Sequence, residues 1–482
     1  MTVVEGTIES LAFGGSGILR ADGLVIFIPF AAPGDILEAT IVQKKRSHAH
    51  GRIVRIKSPS PLRTSPPCPL FGSCGGCQLQ HLTYSAQLEA KRQFVQDALQ
   101  RIGGLSITVP PVTPSTATWA YRRHIKLALR PKGQGFVAGF LGIDNTTFLP
   151  VPSCPIFNEP QDPILSQVQQ FLAALPNHDM EKGALFTFAG RISASREGVD
   201  AAMFDEGIAS AISKENNAAD TLFAGGRKLT EYVNKAPKGE LRLLKTSDGK
   251  FHLAFNLPTT LPPDIKKLFA NALGKWPNWQ SIYIKTPEGE MSFGITQSCY
   301  DILDLKIVAS PLTFLQNHPE QSANIYRTIQ NSFSSDKILD LYCGVGVTSL
   351  LLGKMGKKVI GVEWNPSSIA FAKENALLNQ IKNVEFIAAK AEEETPRQLQ
   401  QFQPGGVLLN PPRTGVAPEL LHVILKARVP EIGYISCMPA TLARDLKILC
   451  QGGYEVRSVQ AFDMFPQTTH VETVVNLITR SN

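Results

Sequence analysis

The sequence predicts a multidomain α/β protein, and three observations lead to that prediction. The chain has 482 residues, which is too long for one hydrophobic core. From about residue 321, apolar runs typical of buried strands alternate with helical patterns, as in a doubly wound, mainly parallel sheet. Residues 1–60 show short β-like runs between glycine-rich turns, which indicates a small barrel. We therefore expect a barrel over 1–60, a mostly β central domain over 61–320 and the α/β domain over 321–482.

The composition is that of an ordinary globular protein, with 43% hydrophobic and 18% charged residues. No apolar run approaches the length of a membrane helix, and MTVVEGTIES lacks the basic and apolar regions of a signal peptide. We therefore expect a cytoplasmic protein with no membrane partner and no obligate protein partner. In that compartment the eight cysteines are expected to be metal ligands, nucleophiles or core residues rather than disulfides.

The predicted barrel carries a basic run. Six Lys or Arg residues and two His residues, but no acid, lie between Lys44 and Lys57. A cationic face on a small barrel favours contact with the phosphate backbone of a nucleic acid. The alternative is a solvated surface loop.

Three cysteines follow a Pro/Ser-rich linker at the start of the central domain. Cys68, Cys74 and Cys77 have C-x5-C-x2-C spacing, which favours metal or cluster binding over unligated loop cysteines. A fourth thiolate is needed, and Cys154, between prolines in VPSCPIF, is the candidate. The spacing alone does not separate zinc from an iron–sulfur cluster.

The rest of the central domain is less informative. A helical pattern runs from Tyr84 to Ile102 and stops at two glycines. The segment 121–130, YRRHIKLALR, alternates basic and apolar residues and either offers cations to phosphates or is an ordinary half-buried strand. Between about 175 and 290 the sequence shows turns and short strands but no catalytic motif.

A glycine turn opens the α/β domain. LDLYCGVG (339–346) predicts a strand, a tight turn with Gly344 and Gly346, and a helix, and Glu363 ends the next predicted strand. An acid there is suited to bind ribose hydroxyls, but the full dinucleotide fingerprint is missing. The combination favours S-adenosylmethionine, which has a ribose but no phosphate. The alternatives are a plain tight turn and a solvated charge.

The reacting groups are predicted at the ends of later strands. Cys437 follows the apolar run 432–435 and precedes a helical pattern, at the edge where open α/β sheets bind ligands. Asn410-Pro411-Pro412 resembles the turn of amine methyltransferases, but Arg413 stands where they have an aromatic residue.

A thiol and a carboxylate suit methylation of a pyrimidine C5 better than methylation of an amine. A Cys437 thiolate that adds to C6 makes C5 nucleophilic, and the carboxylate of Glu472 then removes the C5 proton. Arg413 or Arg444 could lower the pKa of the thiol. A stacked target base would first have to be flipped out. The alternatives are a buried structural cysteine and a surface glutamate.

These residues resemble a known family, the RNA uracil-C5 methyltransferases with an N-terminal TRAM domain and a [4Fe–4S] cluster. The motifs that carry the resemblance are FGGSGILR, PFAAPGDILEATI, the cysteine set, PLTFLQN, LDLYCGVG, NPPRTG, SCMPATLARDL and FPQTTHVE. It implies an OB-like barrel and a class I methyltransferase sheet. It also implies that Cys437 is the nucleophile and Glu472 the base, and it places Gln316, Tyr342 and Glu363 on cofactor contacts. The implied ligands of the cluster are Cys68, Cys74, Cys77 and Cys154.

Three residues depart from the family pattern. Asn410 replaces the usual Asp beside the cofactor and target base, Val347 replaces a cofactor-contacting Asn, and Met438 replaces the Asn after the nucleophile. The departures affect the expected cofactor affinity and rate more than the reaction type.

The expected reaction is formation of 5-methyluridine in RNA. The resemblance places 23S rRNA first and the tRNA T-loop second as the substrate. Two other functions stay open, a non-covalent amine methyltransferase that uses Asn410-Pro411-Pro412 and a catalytically silent RNA-binding protein on the same scaffold.

Overall fold

A computed structural model describes residues 2–21, 23–133, 135–159, 161–175, 239–257, 265–295, 297–311 and 313–480. The chain forms two compact units. One comprises residues 1–81, 125–243 and 253–294, and the other comprises residues 82–124, 244–252 and 295–482. In the described ranges, no helix has both the length and the apolar character that a membrane crossing requires.

The N-terminal barrel is a six-stranded sheet in the first unit. Its strands are β1 (Val3–Thr7), β2 (Ser10–Leu11), β3 (Gly17–Ala21), β4 (Leu24–Ile28), β5 (Ile36–Lys44) and β6 (His48–Ser58), in the order β1-β5-β6-β4-β3-β2. Alternate residues of β4 and β6 point inward, so that Ile26, Ile28 and Ala49 join a buried cluster while their neighbours face outward. Gly51 packs closely against this cluster, since a Cβ there would lie 3.3 Å from both isoleucines.

A seven-stranded sheet follows in the order β13-β12-β11-β10-β7-β8-β9. Its strands are β7 (His124–Lys132), β8 (Gly135–Leu141), β9 (Phe148–Pro150), β10 (Glu240–Lys245), β11 (Phe251–Asn256), β12 (Trp279–Thr286) and β13 (Gly289–Gly294). Two helices accompany it, α2 (Ile164–Ala174) and α3 (Ile265–Lys275). The prediction of turns and short strands between 175 and 290 falls partly on residues 176–238, which lie outside the described residues.

The second unit contains α1 (Tyr84–Arg101), a hairpin of β14 (Ser298–Ile302) and β15 (Leu305–Ala309), and the C-terminal sheet. The strands of that sheet are β16 (Lys337–Leu341), β17 (Lys358–Glu363), β18 (Val384–Ala388), β19 (Gly406–Leu409), β20 (Glu431–Ser436), β21 (Tyr454–Phe462) and β22 (Glu472–Thr479). The helices are α4 (Pro319–Gln330), α5 (Val347–Lys354), α6 (Pro366–Leu378), α7 (Ala391–Gln401), α8 (Pro418–Ala427) and α9 (Pro439–Gln451).

The C-terminal sheet has the order β18-β17-β16-β19-β20-β22-β21. The first five strands are parallel, and β22 is antiparallel to both β20 and β21. Strands β21 and β22 thus form an antiparallel pair at one edge of an otherwise parallel sheet. Strands β19 and β20 are buried throughout because helices cover both faces of a parallel sheet, which explains their continuous apolar sequences.

The topology determines where the site lies. Strands β17, β16, β19 and β20 are parallel neighbours, so the residues after their carboxyl ends share one edge of the sheet. Strand β22 runs the other way and begins at that same edge, with Thr473 paired to Ser436. This register brings Glu472 beside the residue that follows β20, which is Cys437. The predicted fold class is confirmed, and the three domain boundaries stay a prediction.

Candidate active site

Cys437 lies between the end of β20 at Ser436 and the start of α9 at Pro439, and it is half-buried. Glu472 begins β22 and is only 4% exposed. Burial, and after it the charge of Glu472, raises the pKa of the Cys437 thiol to about 11. Burial raises the pKa of Glu472 to about 8. The structure therefore brings the predicted nucleophile and the predicted base together, in surroundings that disfavour two negative charges.

Arg413 is the cation that acts on both Cys437 and Glu472. Its charge and a hydrogen bond act on Cys437 to lower the pKa of the thiol, and its charge also lowers the pKa of Glu472. Burial nevertheless outweighs Arg413 at both groups. Because the guanidinium is exposed, we expect it to reach a bound substrate as well.

The backbone that carries Arg413 is fixed by α9. The buried carboxylate of Asp445 accepts hydrogen bonds from the Tyr434 hydroxyl at 2.6 Å and the Val416 amide at 2.9 Å. Arg444 binds that carboxylate at 2.7 Å and donates to the Thr414 carbonyl at 3.0 Å. Of the two arginines considered from the sequence, Arg413 therefore acts on the thiol, whereas Arg444 holds the loop.

The loop between β21 and β22 is anchored by α1. Gln87 and Gln467 form a reciprocal pair, in which each accepts a hydrogen bond, at 2.9 and 3.0 Å. Buried Lys91 forms an ion pair with Asp463 and donates to the Phe465 carbonyl at 2.9 Å. These contacts join residues about 370 positions apart and fix the approach of the chain to Glu472.

Two side chains of the site were not among the predicted catalytic residues. The Nε2 atom of His470 lies 3.5 Å from a guanidinium nitrogen of Arg413, and the His470 ring packs edge-on against the Phe465 ring. Burial, with the charges of Arg413, Lys91 and Arg122, lowers the pKa of His470 to about 4, so it is neutral at physiological pH. The Arg122 guanidinium lies over the Phe465 ring at 5.9 Å. In the sequence, Arg122 lies in the basic YRRH segment and His470 lies in the FPQTTHVE motif, but neither segment by itself indicated a role in this site.

The predicted cofactor loop has the geometry of a ligand cradle. Tyr342, Gly344 and Gly346 all have positive φ angles, of 63°, 57° and 84°. A Cβ on Gly344 would meet no atom within 4 Å, whereas one on Gly346 would lie 2.6 Å from Phe386. Gly346 is therefore required by packing, and Gly344 leaves open space in front of the loop.

Glu363 is held at the end of β17 by backbone amides. Its carboxylate accepts from the Gly344 amide at 3.3 Å and from the Asn365 amide at 3.0 Å. Asn365 in turn caps α6. The Tyr342 hydroxyl donates to Glu392 at 3.3 Å. The predicted acid and the predicted glycine turn are thus in direct contact.

A second acid near this loop was missed because a strand interior suggests no function. Asp340 in β16 is fully buried, and its Oδ2 accepts from Thr348 and Ser349 at 2.6 Å. Its Oδ1 has no hydrogen-bond partner among the described residues. Burial raises the pKa of Asp340 to about 6 despite the two hydroxyls.

Gln316 lines a cavity of about 220 Å³ in the second unit, together with Arg123, Tyr326 and residues of β14 and α4. Burial raises the pKa of Tyr326, and the charges of Glu472 and Asp340 add to it, which places this tyrosine near both acids. Gln316 and Tyr326 therefore line one cavity, and the charges of both acids act on the Tyr326 hydroxyl.

The three departures from the family pattern lie around the same edge. Asn410 follows β19 and is half-buried, and its backbone amide donates to the Leu341 carbonyl at 3.3 Å. Val347 is buried at the start of α5. Met438 precedes α9 and provides no side-chain cap.

The predicted cluster ligands lie in the first unit. Cys68, Cys74 and Cys77 are half-buried and Cys154 is buried. Burial raises the pKa of Cys74, and the nearby Cys68 adds to it despite a hydrogen bond from the Gly76 amide. Among the residues that the structure describes, no group of three or more His, Cys, Asp or Glu side chains is arranged to hold a metal ion. The arrangement of these four cysteines therefore does not support the expected cluster.

Comparisons with known proteins define the class. Residues 323–480 match the family model of tRNA (uracil-5-)-methyltransferases, and residues 4–62 match the TRAM domain of tRNA (uracil(54)-C(5))-methyltransferases. Over 98% of its length, the chain resembles the solved structure of a tRNA (uracil-54, C5)-methyltransferase from Pyrococcus abyssi in complex with S-adenosyl-L-homocysteine, with 25% identity, 99% coverage of that chain and a TM-score of 0.69. The fold is therefore that of an RNA methyltransferase.

Relatives extend the match to the whole chain. An uncharacterized RNA methyltransferase of Protochlamydia amoebophila is 40% identical over 99% of this chain and 98% of its own. One of Halalkalibacterium halodurans is 34% identical over 98% and 96%. The chain belongs to the RNA uracil-C5 methyltransferase family, as the sequence motifs predicted.

Proposed function

We propose that this enzyme methylates C5 of a uridine in RNA through a covalent adduct with Cys437, and that Glu472 removes the C5 proton. The observation that supports this proposal is the juxtaposition of the thiol, the buried carboxyl group and Arg413 at one sheet edge. An amine methyltransferase needs no thiol at this position, and NPP is here followed by Arg413 rather than an aromatic residue.

The first step forms a bond between the Cys437 sulfur and C6 of uracil. The thiol releases its proton to solvent, the sulfur bonds to C6, and the C5–C6 π electrons move through C4 onto its oxygen as an enolate, so that C5 becomes nucleophilic. Arg413 lowers the cost of the thiolate in its partly buried position. Since burial and Glu472 both oppose ionisation of the thiol, Arg413 is the charge that stabilises the thiolate.

The second half of the reaction removes a proton. After C5 has taken the methyl group, the Glu472 carboxylate accepts the C5 proton, the C5–C6 double bond forms again and the C6–S bond breaks. A glutamate with a pKa of about 8 holds that proton well once it has been transferred. Conversion of Cys437 into a neutral thioether also removes a negative charge beside Glu472, which favours its ionised form before the transfer.

S-adenosylmethionine supplies the methyl group as an electrophilic sulfonium, and its use is supported by the S-adenosyl-L-homocysteine in the Pyrococcus structure. The residues present fit such a group. Gly344 leaves space above the loop, Glu363 offers carboxylate oxygens suited to ribose hydroxyls, and Asp340 has a buried oxygen with no partner in the described part of the chain. We propose Gln316, Tyr342, Gly346 and Asn410 as further residues of this site.

The test is covalent trapping on RNA that contains 5-fluorouridine. Fluorine at C5 cannot leave as a proton does, so the adduct should persist and the protein–RNA complex should survive denaturing electrophoresis. Cys437→Ala should form no such complex, while Glu472→Gln should still form it with normal uridine and accumulate it. A Cys437→Ala variant that methylates RNA at the wild-type rate would refute the covalent mechanism.

Two RNA substrates are supported by different observations. The resemblance of the cysteine set to cluster-bearing relatives favours 23S rRNA, whereas the Pyrococcus enzyme is named for uracil 54 of tRNA and favours the tRNA T-loop. Transfer of labelled methyl to separate transcripts of each RNA decides between them. Methyl label on nitrogen in the hydrolysed nucleosides would instead indicate the amine reaction.

A further inference from the structure

We propose that one outer face of the N-terminal barrel is a stacking platform for unpaired bases of the RNA. The platform consists of the rings of Phe27, His48 and His50. This inference rests on the proposed RNA substrate and concerns a surface in the first unit, whereas Cys437 and Glu472 belong to the second unit.

The three rings form one cluster. Strand β4 pairs in parallel with β6, so that Phe27 lies opposite His50. The Phe27 ring centroid is 5.7 Å from both histidine rings, and the histidine centroids are 5.3 Å apart. All three residues are half-buried, whereas their neighbours Ile26 and Ala49 point into the core. They therefore lie on the outer side of the sheet, where the Phe27 and His50 rings are inclined to each other by 32° and the His48 ring stands edge-on to both, at 74° and 85°.

The charges around the platform are of one sign. Arg55 and Lys57, at the far end of β6, are neutralised by Glu38, and Lys57 also binds Glu5. Lys44, Arg46 and Arg52 form no ion pair with any acid in the described part of the chain. Arg52 is exposed and alternates with His48 and His50 along β6, on the same face. The basic run of the sequence is thus reduced in the structure to a smaller cationic patch next to the rings.

Rings beside cations fit an unpaired strand better than a duplex. In a duplex the base faces are stacked on one another, and only phosphates and sugars reach a flat protein surface. An unpaired base can place its face on an aromatic ring while the adjacent phosphates bind Lys or Arg. Charge alone would bind both forms of RNA, so the rings should make this surface selective for single strands.

The experiment uses the full-length protein and a fluorescein-labelled oligouridylate, with a duplex RNA of the same length as the second probe, at one salt concentration. His48→Ala/His50→Ala should weaken binding of the single strand by about tenfold, which corresponds to the stacking of roughly one base. Duplex binding should change by less than about twofold, because the cations remain. Fluorescence anisotropy measures both affinities.

Two further variants make the result decisive. His48→Phe/His50→Phe keeps the rings and should retain single-strand binding, so it separates stacking from loss of the histidines themselves. Arg55→Gln removes a cation from the same strand that is already paired with Glu38, and it should leave both affinities within about twofold. Equal losses for single strand and duplex, or no loss for the alanine pair, would overturn the platform.

The outcome is independent of catalysis. A wild-type protein that binds the oligouridylate with the predicted selectivity but transfers no methyl group would support the platform and refute the proposed function. A protein that methylates RNA and forms the fluorouridine adduct, but whose alanine pair binds the single strand as wild type does, would refute only the platform.

Discussion

Replacement of Glu472 by Gln should stabilise the protein at alkaline pH while it blocks turnover. Gln has the shape of the protonated glutamate but cannot ionise. Glu472 is only 4% exposed, and burial raises its pKa from an ordinary 4.5 to about 8. The native state therefore holds this proton more tightly than the unfolded state, and wild-type stability should fall as the pH rises from about 4.5 to about 8.

The magnitude follows from the shift. Each pKa unit corresponds to about 1.4 kcal/mol, and about three units lie between pH 5 and the folded pKa. The advantage of Glu472→Gln should therefore grow by about 4 kcal/mol between about pH 5 and about pH 9. This is an upper bound, because water and side-chain movement relax a buried charge. Even half of it would raise the melting temperature by roughly 4–8 °C in a domain of this size.

The assay is thermal unfolding of both proteins at the two pH values, followed by circular dichroism. Glu431→Gln is the matched control in the same sheet. Glu431 is also buried, but hydrogen bonds from Ser334 and Ser335 outweigh burial and lower its pKa. Its contribution is complete above pH 4.5, so this variant should be less stable than wild type by the same amount at both pH values.

A constant difference between Glu472→Gln and wild type at the two pH values would refute the reasoning. It would mean that the carboxyl group is already ionised at about pH 5, and hence that Arg413 outweighs burial.

Three further results are expected. The single-turnover methylation rate should rise with pH through about 8, where Glu472 ionises, and continue to rise toward about 11, where the Cys437 thiol ionises, because both anions are needed; a flat profile in stopped-time assays would contradict this. Arg413→Gln should move the pH midpoint of Cys437 alkylation by iodoacetamide upward, since Arg413 lowers that pKa, whereas Arg397→Gln, an exposed arginine on α7, should leave the midpoint unchanged. If Cys68, Cys74, Cys77 and Cys154 bind the [4Fe–4S] cluster that the resemblance implies, anaerobically purified protein should contain four iron atoms per chain, and Cys154→Ser should lose this iron. An iron-free wild type would reject the cluster.

The sequence predicted the parts of the site that depend on strand order. Because buried parallel strands have continuous apolar runs, the ends of β16, β17 and β20 could be found without coordinates, and with them Gly344, Glu363 and Cys437. The antiparallel β22 could also be predicted, since no helical pattern separates it from β21. These are local patterns whose periodicity is visible in a short window.

Contacts between distant segments were not predictable in the same way. The anchoring of Pro466 by Tyr121, at 2.9 Å between hydroxyl and carbonyl, joins residues 345 positions apart, and no local pattern marks it. The neutralisation of Arg55 by Glu38 was missed because the acid lies outside the basic run and reaches it only through strand pairing. The choice of Arg413 over Arg444 as the cation beside the thiol depends on a loop that Asp445 holds.

The groups that stabilise the Cys437 thiolate differ from those that the family pattern implies. A helix N-terminus lowers the pKa of a nearby thiol, and Cys437 lies two residues before the first turn of α9. Met438 has no side-chain oxygen to cap that turn, and the Met438 amide is bound by Ser436 Oγ at 3.1 Å. The sulfur is therefore left with its own backbone amide and with Arg413 as favourable partners. Since Asp445 fixes the loop that carries Arg413, the network around this buried carboxylate determines how easily the nucleophile ionises, although Asp445 does not touch the substrate.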